Sequence, residues 1–199
     1  MSNAAGRRQG LLFILSAPSG SGKTTLMARL ERWDRRLVRS VSMTTRAPRT
    51  GERHGREYWF VTPAQFASER RRRALLEHAQ VLHHWYGTPR RFIDAARRRG
   101  QDVLLGIDVQ GARQIKRSGY PAVSIFIQPP GVTALRQRLQ RRGTETPAQI
   151  RARLALARRE LRCVPEYDYV VVNDRLDDAA RHLEAIITAE RCRVRPAWL

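Results

Sequence analysis

The sequence predicts an α/β fold in which helices cover both faces of a parallel sheet, and three observations carry that prediction. Four short, nearly continuous apolar runs, at 11–15, 103–107, 123–127 and 169–172, have the length and character of strands enclosed on both sides, and the last three carry β-branched residues. Helical patterns separate them. The first run, Leu11-Leu12-Phe13-Ile14-Leu15, opens into Ser16-Ala17-Pro18-Ser19-Gly20-Ser21-Gly22-Lys23-Thr24-Thr25, a glycine-bearing loop that feeds a helix. Where strand and helix alternate, the strands pair in parallel.

The helical segments follow in order. Residues 24–32 continue from the glycine-bearing loop, 110–117 follow the second apolar run, and 132–141 restart after Pro129-Pro130-Gly131. Ile150, Leu154, Ala157 and Leu161 recur at steps of three and four, with Arg151, Arg153, Arg158 and Arg159 on the other faces, which predicts an amphipathic helix. Two stretches break the rhythm: 42–89, rich in Thr, Arg, Gly and aromatic residues, and 141–147, a polar turn with Gly143 and Pro147. Both are expected at the carboxyl ends of the strands, where ligands bind in open α/β sheets.

The loop has a mechanism of its own. Backbone N–H groups at a helix N-terminus curl around phosphate oxygens, a lysine reaches the terminal phosphates, and a hydroxyl beside it holds magnesium. Gly20, Gly22, Lys23 and Thr24 stand at the spacing this requires, and Ala17 replaces the first glycine of the strict pattern with another small residue. The chain is expected to bind a nucleotide.

With 199 residues, one domain with small inserted lobes is expected. The net charge of +20 comes almost entirely from arginine, because Lys23 and Lys116 are the only lysines among 38 basic residues. Such a surface concentrates polyanions, so nucleic acid is a possible though not favoured partner, and small phosphorylated substrates gain from the same field. No aromatic-rich RNA motif accompanies the charge. Cys163 and Cys192 lack metal-type or C-x-x-C spacing, which fits free thiols in a cytoplasmic protein. No run approaches the ~18 apolar residues of a membrane span. Residues 1–10 lack the apolar region of a signal peptide and are expected to be a disordered lead-in.

Past the phosphate loop, Ser42-Met43-Thr44-Thr45-Arg46-Ala47-Pro48-Arg49-Thr50-Gly51-Glu52 resembles the S-x-T-T-R-x-P-R-x-G-E segment of guanylate kinases. Further matches come in the family's order: Gly55 to Val61 (GREYWFV), Leu76-Glu77-His78-Ala79, Trp85-Tyr86-Gly87-Thr88, Ile107-Asp108-Val109-Gln110-Gly111, Arg142-Gly143-Thr144-Glu145-Thr146 and Val172-Asn173-Asp174. The resemblance runs from Leu11 to about Arg191. It implies a phosphate-loop core (11–41, 90–137, 152–199), an inserted GMP-binding lobe (42–89) and a short lid (138–151), all within one domain over 11–199.

The implied roles match the chemistry. Guanine presents two donors on its pairing edge, N1–H and the N2 amine, so it needs a carboxylate acceptor; the resemblance gives this to Glu77, helped by Asp108. Ser42 and Thr88 would donate to guanine O6. Arg46 and Arg49 would hold the GMP phosphate with their forked donors, and Tyr58 and Tyr86 would add phenolic ones. On the ATP side the resemblance assigns Ser19, Gly20, Ser21, Gly22, Lys23, Thr24 and Thr25 to the phosphates, Thr24 to Mg2+, and Asn173 to the neighbourhood of the adenine. Arg138, Arg142 and Arg153, with Lys23 and Arg46, would neutralise charge on the transferring group.

The reaction implied is ATP plus GMP giving ADP plus GDP. The attacking phosphate oxygen is largely ionised at neutral pH, since a phosphate monoester's second pKa is about 6, so positioning and charge neutralisation suffice without a general base. An alternative is a guanylate-kinase-like nucleotide or protein binding module with weak or no activity; such a module needs neither Lys23 nor the arginine set. The oligomeric state is not legible. One departure from the family stands out: guanylate kinases usually carry an acid two residues before the aspartate of Ile-Asp-x-Gln-Gly, and here that place is Gly106. A glycine disfavoured in strands is expected to raise the magnesium requirement.

Overall fold

All five residues of β1 (Leu12–Ser16) are buried, and the molecule is layered around that strand. In this computed structural model, which describes residues 8–81, 83–141 and 146–194, β1 is central in a five-stranded sheet. On one side it pairs in parallel with β7 (Asp102–Gly106), in the register Leu12 to Val103 through Leu15 to Gly106. On the other it pairs with β8 (Val123–Gln128). β2 (Leu37–Arg39) closes one edge on β7 and β9 (Tyr169–Val172) the other on β8, all parallel, in the order β2-β7-β1-β8-β9.

The alternation of side chains along β1 divides the core in two. Phe13 and Leu15 join Leu26, Met27 and Leu30 of α1 (Lys23–Trp33) and Ala180, Leu183 and Ile187 of α7 (Leu176–Cys192). Leu12 and Ile14 face the other way, onto Ile93 and Ala96 of α3 (Arg90–Arg98) and Ala112 and Ile115 of α4 (Val109–Arg117). Full burial of one such side chain contributes ~1.5–3 kcal/mol. A third cluster, Leu135, Leu139, Leu154 and Ala157, joins α5 (Val132–Arg141) to α6 (Pro147–Leu161).

Residues 43–89 build a second sheet of four strands. β3 (Met43–Thr44), β4 (Trp59–Phe60), β5 (Leu75–Val81) and β6 (His84–Pro89) lie in the order β4-β3-β6-β5, with α2 (Pro63–Arg71) between β4 and β5. β6 passes into α3 without a linker. α2 and α6 both begin with a capping box, Thr62 with Gln65 and Thr146 with Gln149, in which side chain and backbone exchange hydrogen bonds.

Several expectations need amendment. Gly10 is buried and exchanges hydrogen bonds with Arg97 through its N–H and its carbonyl, and Leu11 N–H donates to Asp102, so the lead-in expected over 1–10 does not reach residue 10. Residues 1–7 lie outside the described residues, as do residues 142–145 of the expected lid. On α6 the buried face is Leu154, Ala157 and Glu160; Leu161 is only half-buried, and an acid takes the inward place. Arg191, near the end of α7, reaches Asp34 at 2.6 Å and Asp102 at 2.7 Å, so the last helix is tied to the sheet's β2–β7 edge.

Candidate active site

The loop between β1 and α1 turns on two glycines with left-handed backbone, Gly20 (φ 94°) and Gly22 (φ 88°). A Cβ at Gly22 would lie 2.4 Å from Asn173 Nδ2, so only glycine fits that close approach. Gly22 also caps α1, with no side chain bonding the helix's first N–H groups; those donors stay free for an anion. Thr24 and Thr25 are exposed on the first turn. Lys23 bends inward, its ammonium donating to the carbonyl of Ile107 at 3.0 Å, and burial lowers its pKa.

Arginines meet this loop from two helices. Arg153 on α6 donates to the Ser19 hydroxyl at 2.6 Å. Arg138 on α5 is spent on the carbonyls of Asn173 (2.9 Å) and Asp174 (3.2 Å). The Asn173 amide donates to the Ser21 carbonyl at 2.7 Å, so its buried side chain braces the loop from beneath; the expectation put it beside the adenine. Arg142 lies outside the described residues.

A cavity of about 230 Å³ opens between the two sheets, bounded by Lys23, Gly106 and Asp108 on one side and Ser42, Tyr58, Glu77 and Tyr86 on the other. Glu77 projects from β5 into it, 5% exposed. Thr88 donates to Glu77 Oε1 at 2.5 Å, and Ser42 Oγ lies 3.3 Å from Thr88 Oγ1. Burial pushes the Glu77 carboxyl up to about 7, with the charge of Asp108 adding to the rise and Thr88 opposing it. Asp108 sits at the start of α4, where Oδ1 accepts from the Gly111 N–H at 2.9 Å. A Cβ at position 111 would lie 2.6 Å from Glu77 Oε2, so the glycine makes room for the carboxylate.

Arg46 is held before any ligand arrives. One guanidinium nitrogen reaches both Glu52 oxygens, at 2.8 and 2.9 Å, another donates to the Ala47 carbonyl, and the carbon lies 5.6 Å from the Tyr58 ring centre and 5.8 Å from that of Phe60. Tyr58 meets Tyr86 edge to face at 5.8 Å. The Arg49 side chain is exposed, and its N–H donates to Glu52. Glu52 therefore holds the Arg46 side chain and the Arg49 backbone. The family motif gives Glu52 no role, and its three- and six-residue spacing from Arg49 and Arg46 is the signal in the sequence. Gln114 was missed too: it bonds both the N–H and the carbonyl of His78, fixing β5 beside Glu77.

Residues 9–190 match the guanylate kinase family model. The chain belongs to the guanylate kinase family. It is 48% identical over 188 residues to the guanylate kinase of Ruegeria pomeroyi, covering 94% of this chain and 88% of that one. It is 47% identical over 192 residues to the guanylate kinase of Deinococcus radiodurans, covering 95% and 79%. The crystal structure of guanylate kinase from Anaplasma phagocytophilum superposes with a TM-score of 0.76 at 34% identity, covering 94% of this chain and 89% of that chain. Against the guanylate kinase pattern, the strand glycine at 106 now has a local account. A Cβ there would lie 2.6 Å from Met27 Sδ, so the methionine sulfur fills the space a side chain would take.

Proposed function

We propose that the cavity between the sheets holds GMP with guanine against Glu77, and that the loop at Gly20 to Thr24 holds the ATP phosphates, so that the γ-phosphoryl group passes between them. The chain is an ATP:GMP phosphotransferase by its family, a nucleoside monophosphate kinase giving ADP and GDP. Nothing supports the reading as an inert binding module. The observation that carries the placement of guanine is the Ser42–Thr88–Glu77 relay, which ends in a buried carboxylate facing a cavity.

The ionised Glu77 accepts from guanine N1–H and N2–H, and adenine, with an acceptor at N1, is refused. The Ser42 hydroxyl, held at Thr88, turns to guanine O6. Arg46 and Arg49 take the GMP phosphate, with Tyr58 and Tyr86 beside them. The phosphate displaces one of the two Glu52 contacts, exchanging one oxyanion partner for another at little electrostatic cost. On the other side the free N–H groups of α1 and the Lys23 ammonium bind the β- and γ-phosphates, and Arg153, already at Ser19, neutralises charge on the moving group.

Magnesium fits this donor set. An ion carried on ATP needs one or two protein oxygens beside phosphates and water, and the exposed Thr24 hydroxyl supplies one. Thr24 would hold the ion, which when bound would supply positive charge to offset that of the ATP phosphates. Asp108 is engaged at α4 and Gly106 offers no carboxylate, so the protein's share of the coordination rests on Thr24. Two unbridged cysteines and, among the described residues, no helix long and apolar enough to cross a membrane support a cytoplasmic setting.

ADP production measured with GMP, AMP, CMP and UMP as acceptors tests the assignment. Turnover with GMP is expected to exceed that with AMP by at least ~100-fold, because a buried carboxylate facing an acceptor is left unpaired. Equal rates with all four would refute the guanine site.

A further inference from the structure

Glu77 enters the cavity from an irregular place in its strand. β5 is the outer strand of the second sheet, in the order β4-β3-β6-β5, so one of its edges has no strand beside it among the described residues. Along the paired edge Leu75 is level with Pro89 and His78 with Gly87, which leaves Leu76 and Glu77 opposite Thr88 alone. Two residues against one make a β-bulge, which re-aims side chains and interrupts the ladder's hydrogen bonds. The two bulged residues part company: Leu76 joins the core cluster with Ile93 and Ala112, while Glu77 lines the cavity. A slip of one residue here would exchange those two directions. A bond from outside the sheet holds the strand at this point. The Gln114 side chain on α4 accepts from the His78 N–H at 3.1 Å and donates to the His78 carbonyl at 2.7 Å. One side-chain amide thus supplies the donor and the acceptor that a peptide of a further strand would.

We propose that Gln114 is a positioning residue for guanine recognition: by pairing with both backbone groups of His78 it closes the bulge at its C-terminal end and sets the direction in which Glu77 meets the base. The inference rests on the reading of guanine against Glu77. His78 directly follows Glu77, so the clamp acts on the peptide that carries the carboxylate. Thr88 bonds Oε1, and the place of Oε2 is then set by the backbone from which the side chain hangs. To accept from both N1–H and N2–H the carboxylate must lie close to the plane of the base, and a tilt weakens one of the two bonds steeply. α4 brings three positions to this wall at steps of three. Asp108 lines the cavity, Gly111 leaves room for Glu77 Oε2, and Gln114 holds His78. The helix that bounds the cavity from the core therefore also fixes the strand that bounds it from the second sheet.

Inosine monophosphate is the probe, because its base keeps N1–H and O6 and lacks the N2 amine. The ratio of kcat/KM for GMP to that for IMP therefore reads the second of the two bonds. Gln114→Met keeps the length of the side chain and removes its donor and acceptor. In this variant kcat/KM for GMP is expected to fall about tenfold, mostly through KM, and the GMP-to-IMP ratio at least about threefold, while KM for ATP moves less than about twofold. A residue that only supported packing would lower both acceptors alike and leave the ratio unchanged. Amide hydrogen exchange gives a second measurement, made on the parent. Backbone N–H groups alternate along a strand, so Gln80 turns its N–H to the same edge as His78. The His78 amide is expected to exchange at least about tenfold more slowly than that of Gln80, and to lose this protection in Gln114→Met. Exchange at His78 as fast as at Gln80 in the parent would overturn the proposal whether or not the variant folds. So would an equal loss with both acceptors, or an unchanged ratio. Glu77→Gln in the same series keeps two questions apart. A ratio unchanged by Glu77→Gln would refute the guanine site and the clamp with it; a ratio lowered by Glu77→Gln and untouched by Gln114→Met would refute the clamp alone.

Discussion

Thr88 donates its hydroxyl to Glu77 Oε1 at 2.5 Å, inside a wall where both residues are almost fully buried. That single bond leaves the second carboxylate oxygen, on the side kept open by Gly111, unspent for a ligand. It also makes the site sensitive to acid. The folded carboxyl lies near 7, raised by burial, so ionisation is lost as pH falls through that value. KM for GMP is expected to rise about tenfold from pH 8 to pH 6, beyond what ionisation of GMP itself explains, while KM for ATP stays within about twofold. In Glu77→Gln the excess dependence should vanish; its persistence would mean that another group titrates.

At neutral pH, Glu77→Gln places a donor opposite a donor. Unpairing one buried polar group costs ~1–3 kcal/mol, so kcat/KM for GMP should drop ~10- to 100-fold with little change in ATP affinity. An equal rise in both KM values would show that Glu77 supports the fold of the second sheet and does not read guanine.

Lys23→Ala is expected to reduce kcat to background, from the roughly 1–100 per second of kinases, with unchanged circular dichroism. The lysine bonds one backbone carbonyl and anchors no packed cluster, so the fold does not depend on it. Retained turnover would remove Lys23 from the phosphate site.

Arg46→Lys preserves charge and loses geometry. The guanidinium spans Glu52, the Ala47 carbonyl and two aromatic rings at once, which an ammonium does not reproduce. Losing one charge-assisted bond, ~1.5–3 kcal/mol, predicts a fall of ~10- to 100-fold in kcat/KM for GMP. Near-normal kinetics would mean that charge alone is needed.

The glycine at 106 gives a fourth variant. An aspartate there collides with Met27 Sδ, so Gly106→Asp alone mixes a packing cost with any effect on magnesium. Gly106→Asp combined with Met27→Ala removes the collision. Relative to Met27→Ala alone, the double variant is expected to lower the magnesium concentration for half-maximal rate. No difference between those two would show that the glycine reflects packing against Met27 only.

β1, β7 and β8 were legible because burial on both faces leaves an unbroken apolar run, as in Leu12 to Leu15; β9 was legible as an apolar run too, but at the edge of the sheet it is enclosed on one face only, with Val170 and Val172 exposed on the other. β2 was not legible, since three residues with a partly exposed Arg39 carry no period. The second sheet was hidden for the same reason: β3 and β4 have two residues each, and their pairing is long-range. The charged residues proposed for the site came from the family motif, as with Glu77, which lines the cavity, and Arg46. Glu160 escaped because an acid on the inward face of α6 breaks the very apolar pattern used to find the helix. Periodicity reports only that position 160 points inward, not that a carboxylate is buried there.

The place of β1 in the sheet has a consequence for the protein's birth. Its first pairing partner, β7, is made about 90 residues later and its second, β8, about 110 later. On a ribosome adding ~5–20 residues each second, an apolar strand followed by a glycine turn therefore waits several seconds with both edges unpaired. Helix α1 can form beside it in that interval, but the sheet cannot. Nascent chains ending before residue 128 should accordingly be captured by chaperones and cut readily near residues 12–20, and both liabilities should disappear together once β8 has emerged.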